Sequence, residues 1–374
     1  MKPLELVTDA LRGTDEVFAV TGATGWFGSV ALELLYGALG DQAAHRVVGY
    51  ASAPRVVTLS DGTSVMVRPL ADLHTQDPAP TTLLHCAFLT RDKLGALGRN
   101  AYTARNVAIT ATVVDAIVKH RPRHVVSLSS GAVYADTSYW DTSHRDTSHR
   151  DTSHRDTSHR DTSHRNTSHP DTSGRGAPRS AAALVSDVRV DPYGTLKNLD
   201  ELVFRAATRD AGGACVIPRV FSVAGPRMTK PGLFALGSLI EMAAVGGPIE
   251  VRSRGRVFRS YCGVEEVLAL ALWAALRRRD LVFDTSGTVV EIGELARLVA
   301  HQHGLGSDVV RRSWDPKVTA DRYVGDGTQM DALAAEARLD LQPLSELVRE
   351  TSSWLTAGRP KPRVPARRFA SRFR

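Results

Sequence analysis

The chain has 374 residues, of which 43% are hydrophobic and 23% charged. That balance excludes disordered and fibrous classes and allows one large α/β domain with an appended lobe. The formal net charge of +7 is matched by the seven lysines and arginines of residues 358–374, a stretch without acids, so the body is near neutral and nucleic acid is not an expected partner except through that tail.

A short leading helix is expected over residues 3–12. The first strand follows at Val17-Phe18-Ala19-Val20, and Thr21-Gly22-Ala23-Thr24-Gly25-Trp26-Phe27-Gly28 then opens into the helical pattern Ser29–Leu35. Strand, glycine turn and helix make a phosphate cradle: glycine permits the tight turn and the close approach of backbone to a pyrophosphate, and the helix N-terminus supplies amide donors. The spacing, Gly-x-x-Gly-x-x-Gly, differs from the commonest dinucleotide fingerprint. A second strand is expected at Arg46–Tyr50. Beyond it stand Ala51, Ser52 and Arg55, with no acid to bind a free ribose 2′-hydroxyl, so NADP is expected over NAD.

Further strands are expected at 64–67 and 82–87, with His85 read as a satisfied strand-end histidine, and a long amphipathic helix at 101–120. The fifth strand, Arg123–Ser130, ends in serines. Residues 136–175 are eight pentads, five of them Asp-Thr-Ser-His-Arg. A period of five fits neither a helix face nor a strand face, and little in it is apolar, so a disordered tandem-repeat insert is expected, with no metal site implied by its histidines. Tyr193 and Lys197 lie four apart, on one face of the next expected helix. An ammonium there stabilises a phenolate and suits Tyr193 to acid/base work, with Ser130 as the orienting hydroxyl. A strand at 215–217, a mixed region at 226–267, a returning strand at 281–284 and helices at 291–303 and 344–355 complete the chain.

The three cysteines are far apart and lack metal-ligand spacing, the longest apolar runs are too short to span a bilayer, and the N-terminus has no continuous apolar stretch. A cytoplasmic protein without a metal is expected.

The sequence resembles the extended short-chain dehydrogenase/reductase superfamily, in its nucleotide-sugar epimerase/dehydratase group. The resemblance rests on Thr21–Gly28, Asn106-Val107, Ser129–Tyr134, Tyr193–Lys197, Arg219–Pro226 and Arg259–Val267, and spans roughly residues 15 to 357. It implies an α/β, Rossmann-like doubly wound parallel sheet with a smaller C-terminal substrate lobe. The NAD(P)-binding domain would be 15–225, interrupted by 136–175; 226–357 would hold the substrate lobe and returning Rossmann elements, and 358–374 a basic disordered tail. Catalysis would fall to Ser130, Tyr193 and Lys197. Cofactor contacts would come from Gly22, Gly25, Trp26, Phe27, Gly28, Ser52, Arg55, Ala87, Asn106, Tyr193, Lys197 and Phe221, and substrate contacts from Ser222 and Arg259. Arg259 stands where the family binds the substrate's diphosphate. Where related dehydratases carry an acidic pair after the serine, this chain has Gly131-Ala132, which argues against dehydration. The function expected is therefore an NAD(P)-dependent oxidoreductase or epimerase acting on a nucleotide sugar, as a homodimer. The alternatives are a reductase of a non-sugar carbonyl and a non-catalytic NADP-binding redox sensor.

Overall fold

A computed structural model describes residues 1–134 and 192–357. The expected pentad insert and basic tail lie outside the described residues. The main sheet is built from β1 (Phe18–Thr21), β2 (Val47–Ala51), β3 (Arg55–Thr58), β4 (Ser64–Pro69), β5 (Thr82–His85), β6 (His124–Ser127), β7 (Ser129–Ser130), β8 (Ala214–Val220) and a returning β12 (Leu281–Asp284). Their order is β12-β8-β6-β5-β1-β2-β4-β3, with β7 on β8, and every pair is parallel except the antiparallel edge β3–β4.

Alternation along the strands dictates the layers. Phe18, Val20, Leu84, Val126 and Val216 point into one apolar core, whereas Ala19, Leu83, Val125, Cys215 and Ile217 point into another on the opposite face. Helices α1 (Pro3–Leu11) and α2 (Trp26–Leu39) cover the first face. Helices α3 (Arg99–His120) and α4 (Pro192–Asp210) cover the second with Val113, Ile117 and Phe204. This is the Rossmann-like doubly wound architecture expected.

A smaller lobe has its own core, drawn from α5 (Ala235–Ala244), β10 (Ile249–Val251), β11 (Val257–Gly263), α7 (Ile292–Gln302) and α9 (Leu344–Thr356). Strand β11 pairs with β9 (Ser222–Ala224), β13 (Thr288–Glu291) and β15 (Asp321–Tyr323), while β10 pairs with β14 (Val310–Arg312). Helix α6 (Val264–Leu276), the long apolar run of the sequence, is buried on nearly every side in the first core, together with α8 (Thr328–Ala337). It belongs to the body of the sheet although β11 leads directly into it. Among the described residues no helix is long and apolar enough to cross a membrane.

Candidate active site

The site lies at the carboxyl edge of the main sheet, where parallel strands deliver their loops to one side. After β1 the chain turns at Gly22, whose φ of +67° favours glycine and whose Cβ would stand 2.6 Å from the Cys86 carbonyl carbon. A Cβ on Gly28 would come within 2.2 Å of Gly22 O, so Gly28 is fixed by the packing of α2 on the turn and Gly22 by the loop after β5. Gly25 is different. A Cβ there meets only Gly22 O, at 3.2 Å, and Gly25 is the N-cap of α2, whose first-turn amides have no intrahelical partner. These residues fit a dinucleotide diphosphate.

The two aromatic residues after Gly25 do not share a role. Trp26 turns away from the cradle: its indole N–H donates to Pro226 O at 2.7 Å and its ring meets Phe234 edge-on, tying the turn to the smaller lobe. Phe27 is half-buried beside it. Ser52 and Arg55 are exposed past β2, and Arg55 pairs in register with Val67 at the carboxyl end of β4.

The loop after β5 forms the next wall. Thr21 Oγ1 accepts from the amides of Cys86 and Ala87 and lies 2.8 Å from His85 Nδ1. Burial pushes the His85 imidazole down to about 3, which holds it neutral; Thr21 satisfies Nδ1, but the buried Nε2 has no partner among the described residues, so the sequence reading of a satisfied histidine holds for one nitrogen only. Asn106 is buried, accepts from Leu89 N at 2.8 Å and donates to the carbonyls of Leu89 and Tyr102. Its amide clamps the loop that carries Ala87 and Phe88.

Tyr193 and Lys197 stand one turn apart on α4, and both border the ring of Phe88. Tyr193 meets it edge-on at 5.5 Å, and Lys197 Nζ sits 3.9 Å from its centroid. The lysine is buried, donates to Leu128 O at 2.8 Å and lies 3.8 Å from Asp200 Oδ2. Burial pulls the ammonium down from its ordinary value and the nearby carboxylates oppose that. The guanidinium of Arg91 lies 5.5 Å from the centroid of the Tyr193 ring.

Ser130 ends β7, and its Oγ accepts from Ala132 N and lies 3.4 Å from the hydroxyl of Tyr323. Tyr323 is the hub of the second half of the site. Its ring packs 4.7 Å from Phe221, it pairs in register with Arg259, and Tyr193 is close enough to raise its hydroxyl's pKa together with burial. Arg259 donates to Asp321 Oδ2 at 2.9 Å and to Phe258 O. Ser222 follows Phe221 and pairs with Tyr261. Ser130, Phe221 and Arg259 thus gather around Tyr323, with Ser222 beside Tyr261, while Tyr193 and Lys197 gather around Phe88.

A polar chain, buried at Ser129 and Glu201 and part-buried at Arg219 and Tyr134, anchors the residue before Ser130. Ser129 Oγ donates to Glu201 Oε1 at 2.5 Å, Arg219 grips both oxygens of Glu201 at 2.9 and 2.7 Å, and its other nitrogen donates to the Tyr134 hydroxyl, which donates to Asp284.

A model of the NAD dependent epimerase/dehydratase family matches residues 18–157, from the first residue of β1 past Ser130. That match takes in the glycine turn, the loop after β5, α3 and the serines of β7. Solved structures of that kind share the fold. One, MoeE5 in complex with UDP-glucose and NAD, is 20% identical over 91% of this chain and 98% of its own, with a TM-score of 0.62. The UDP-N-acetylglucosamine 4-epimerase of Methanobrevibacter ruminantium M1 is 17% identical over 92% and 99%, with a TM-score of 0.62. A double mutant of DesIV, a dTDP-glucose 4,6-dehydratase from Streptomyces venezuelae, is 21% identical over 90% and 96%, with a TM-score of 0.60. Comparison with curated protein sequences finds no match.

Four residues of this candidate site were not singled out from the sequence: Phe88, Arg91, Asp200 and Tyr323. Asp200 alone left a trace, as a carboxylate three residues beyond Lys197 on the same helix.

Proposed function

We propose that the chain is an NAD(P)-dependent nucleotide-sugar epimerase or reductase in which Tyr193 moves the proton. The observation that supports this reading is the pairing of Tyr193 and Lys197 against Phe88, with Tyr193 and Ser130 both facing Tyr323, beside a glycine turn fitted to a diphosphate. When bound, the nicotinamide supplies the hydride chemistry. Gly25 and the first-turn amides of α2 would hold its diphosphate, Ser52 and Arg55 would flank its adenosine ribose, and Lys197 would serve its nicotinamide end.

The chain's own groups have separable tasks. The Tyr193 hydroxyl gives or takes the proton of a substrate oxygen. The buried Lys197 ammonium favours the phenolate, because a positive charge in a dry setting acts more strongly than one in water. Ser130 Oγ, fixed by Ala132 N, orients the same oxygen. Arg259 offers a guanidinium fork to a nucleotide diphosphate. The small residues Gly131-Ala132 beside Ser130 favour epimerisation or reduction over elimination of water.

Exposed Arg55 and the lack of an acid after β2 favour NADP, whereas NAD is the cofactor named with MoeE5 and DesIV. A homodimer through α3 and α4 is part of the proposal, supported by the apolar groove that Val114, Val118, Leu202, Val203 and Ala206 line, with Val118 62% and Leu202 46% exposed. Light scattering tests it, and a Val118→Glu variant should be monomeric.

The catalytic reading is tested with UDP- and dTDP-sugars and either cofactor, following NAD(P)H absorbance for reduction and product sugar for epimerisation. Tyr193→Phe should lose about 10²- to 10⁴-fold in turnover while still binding NAD(P)H. Lys197→Met should lose turnover and cofactor affinity together. Near wild-type turnover in Tyr193→Phe would overturn the mechanism.

A further inference from the structure

Lys197 is an ammonium in a dry site, and a buried charge needs a counter-charge. The charged and titratable groups facing it are few. From β5 and its loop come His85 and Cys86. Burial holds the histidine neutral, with its value pushed down to about 3, and keeps the thiol protonated, pushed up to about 12. From α4 itself comes Glu201, but both its oxygens are gripped by Arg219 from β8 and one also accepts from Ser129. Asp200 is the carboxylate left over. It is 2% exposed, Oδ2 is 3.8 Å from Lys197 Nζ and has no hydrogen-bond donor among the described residues, and Oδ1 accepts from Thr110 Oγ1 of α3 at 2.6 Å; burial pushes its carboxyl up, and Lys197 and Thr110 oppose that.

Resting on the catalytic reading above, we infer that Asp200, braced by Thr110, is a positioning residue that keeps Lys197 charged and aimed at the wall shared with Tyr193. Geometry supports each link. The lysine has three donors: one goes to Leu128 O, one side of the ammonium faces Asp200, and another lies over the Phe88 ring against which Tyr193 packs. Without the carboxylate, the cost of burying the ammonium is no longer offset. The lysine then sheds its proton more readily, and the Tyr193 phenolate, which also faces Tyr323 and the Arg91 guanidinium 5.5 Å from its ring centroid, loses one of the two positive charges that favour it. A residue that touches neither cofactor nor substrate would in this way set the pH at which the proton carrier works.

The test needs no substrate. Tyrosinate absorbance is titrated against pH in the full chain with NADH present, and the same titration of Tyr193→Phe is subtracted to isolate Tyr193. Asp200→Asn keeps the shape and an acceptor for Thr110 but removes the charge, and should move the Tyr193 midpoint up by about one pH unit. Asp200→Glu should bring it back towards the wild-type value, and Thr110→Val should move it up by less than Asp200→Asn does. Lys197→Met is the control and should move it at least as far as Asp200→Asn. A midpoint that moves in Lys197→Met but stays in Asp200→Asn overturns the role of Asp200 alone. A midpoint that stays in both overturns the Tyr193–Lys197 reading and this inference with it.

Discussion

The hydroxyl of Tyr323 lies 3.4 Å from Ser130 Oγ, although 193 residues separate them. The register of β15 on β11 sets Tyr323 beside Arg259, so the smaller lobe brings a tyrosine to the serine at the end of β7. At that length the contact contributes little to stability. Tyr323→Phe should change unfolding free energy by about 0.5 kcal/mol or less. Its effect should fall on turnover, by less than about tenfold, or ~1.4 kcal/mol in the barrier. Denaturant unfolding and steady-state rates on the same preparation check both halves. A loss as large as that of Tyr193→Phe would assign Tyr323 to the proton transfer itself.

Trp26 joins the glycine turn to the smaller lobe through its bond to Pro226 O and its contact with Phe234. Trp26→Phe keeps a ring but strips the donor from a part-buried carbonyl, so a loss of about 1 kcal/mol is expected. Cofactor affinity should fall with it, because α2 begins at this residue. Urea unfolding and NADH titration measure the two effects, and unchanged values in both would show that the tie is ornamental.

Strands and helices of the sheet were legible because their residues obey simple periods. The glycine turn, Ser130 and the Tyr193–Lys197 pair were legible because each motif is local in sequence. Tyr323 and Arg91 were not, since each reaches the site through tertiary placement: Tyr323 by strand register, Arg91 by a loop clamped at Asn106. Trp26 adds a second link: its amide opens the first turn of α2, where the motif puts a cofactor contact, and its side chain reaches Pro226 and Phe234, which the motif did not announce. The edge strand β3 was missed because Arg55–Thr58 is too short to show alternation, and α6 was blurred because a helix buried all round has no polar face to mark its period.

Arg55 lies on β3 at the carboxyl end of the sheet, and Arg68 pairs in register with Tyr50 at the same end of β4. Arg68 alternates to the opposite face from Arg55, so it is the exposed Arg55 guanidinium that suits a ribose 2′-phosphate. NADPH should bind more tightly than NADH, and Arg55→Ala should narrow the gap by about tenfold, the worth of one hydrogen bond to a charged group. Fluorescence titration of both cofactors checks this. Equal affinities in the wild type would return the chain to NAD.

Glu16 sits at the opposite, amino edge of the sheet and pins three strands there. Its carboxylate accepts from Thr82 Oγ1 at 2.7 Å and from Thr81 Oγ1, meets Arg123 at 2.9 Å and lies 3.5 Å from His124 Nε2. Burial alone would raise its pKa, but the bonds from His124, Thr81 and Thr82 outweigh that and bring it from the ordinary 4.5 down to about 2. The folded value is below the unfolded one, so the carboxylate stabilises the fold fully above pH 4.5, and this is lost as pH falls through about 2. A shift of that size corresponds to ~3 kcal/mol. Glu16→Gln should therefore be less stable than the wild type at neutral pH by up to about that amount, and the two should converge in acid. Cofactor affinity should be unaffected, because the glycine turn and the first turn of α4 lie at the other end of the strands. Urea unfolding at a series of pH values measures the difference, and a gap between the two proteins that persists undiminished below pH 2 would show that Glu16 acts through packing and not through its charge.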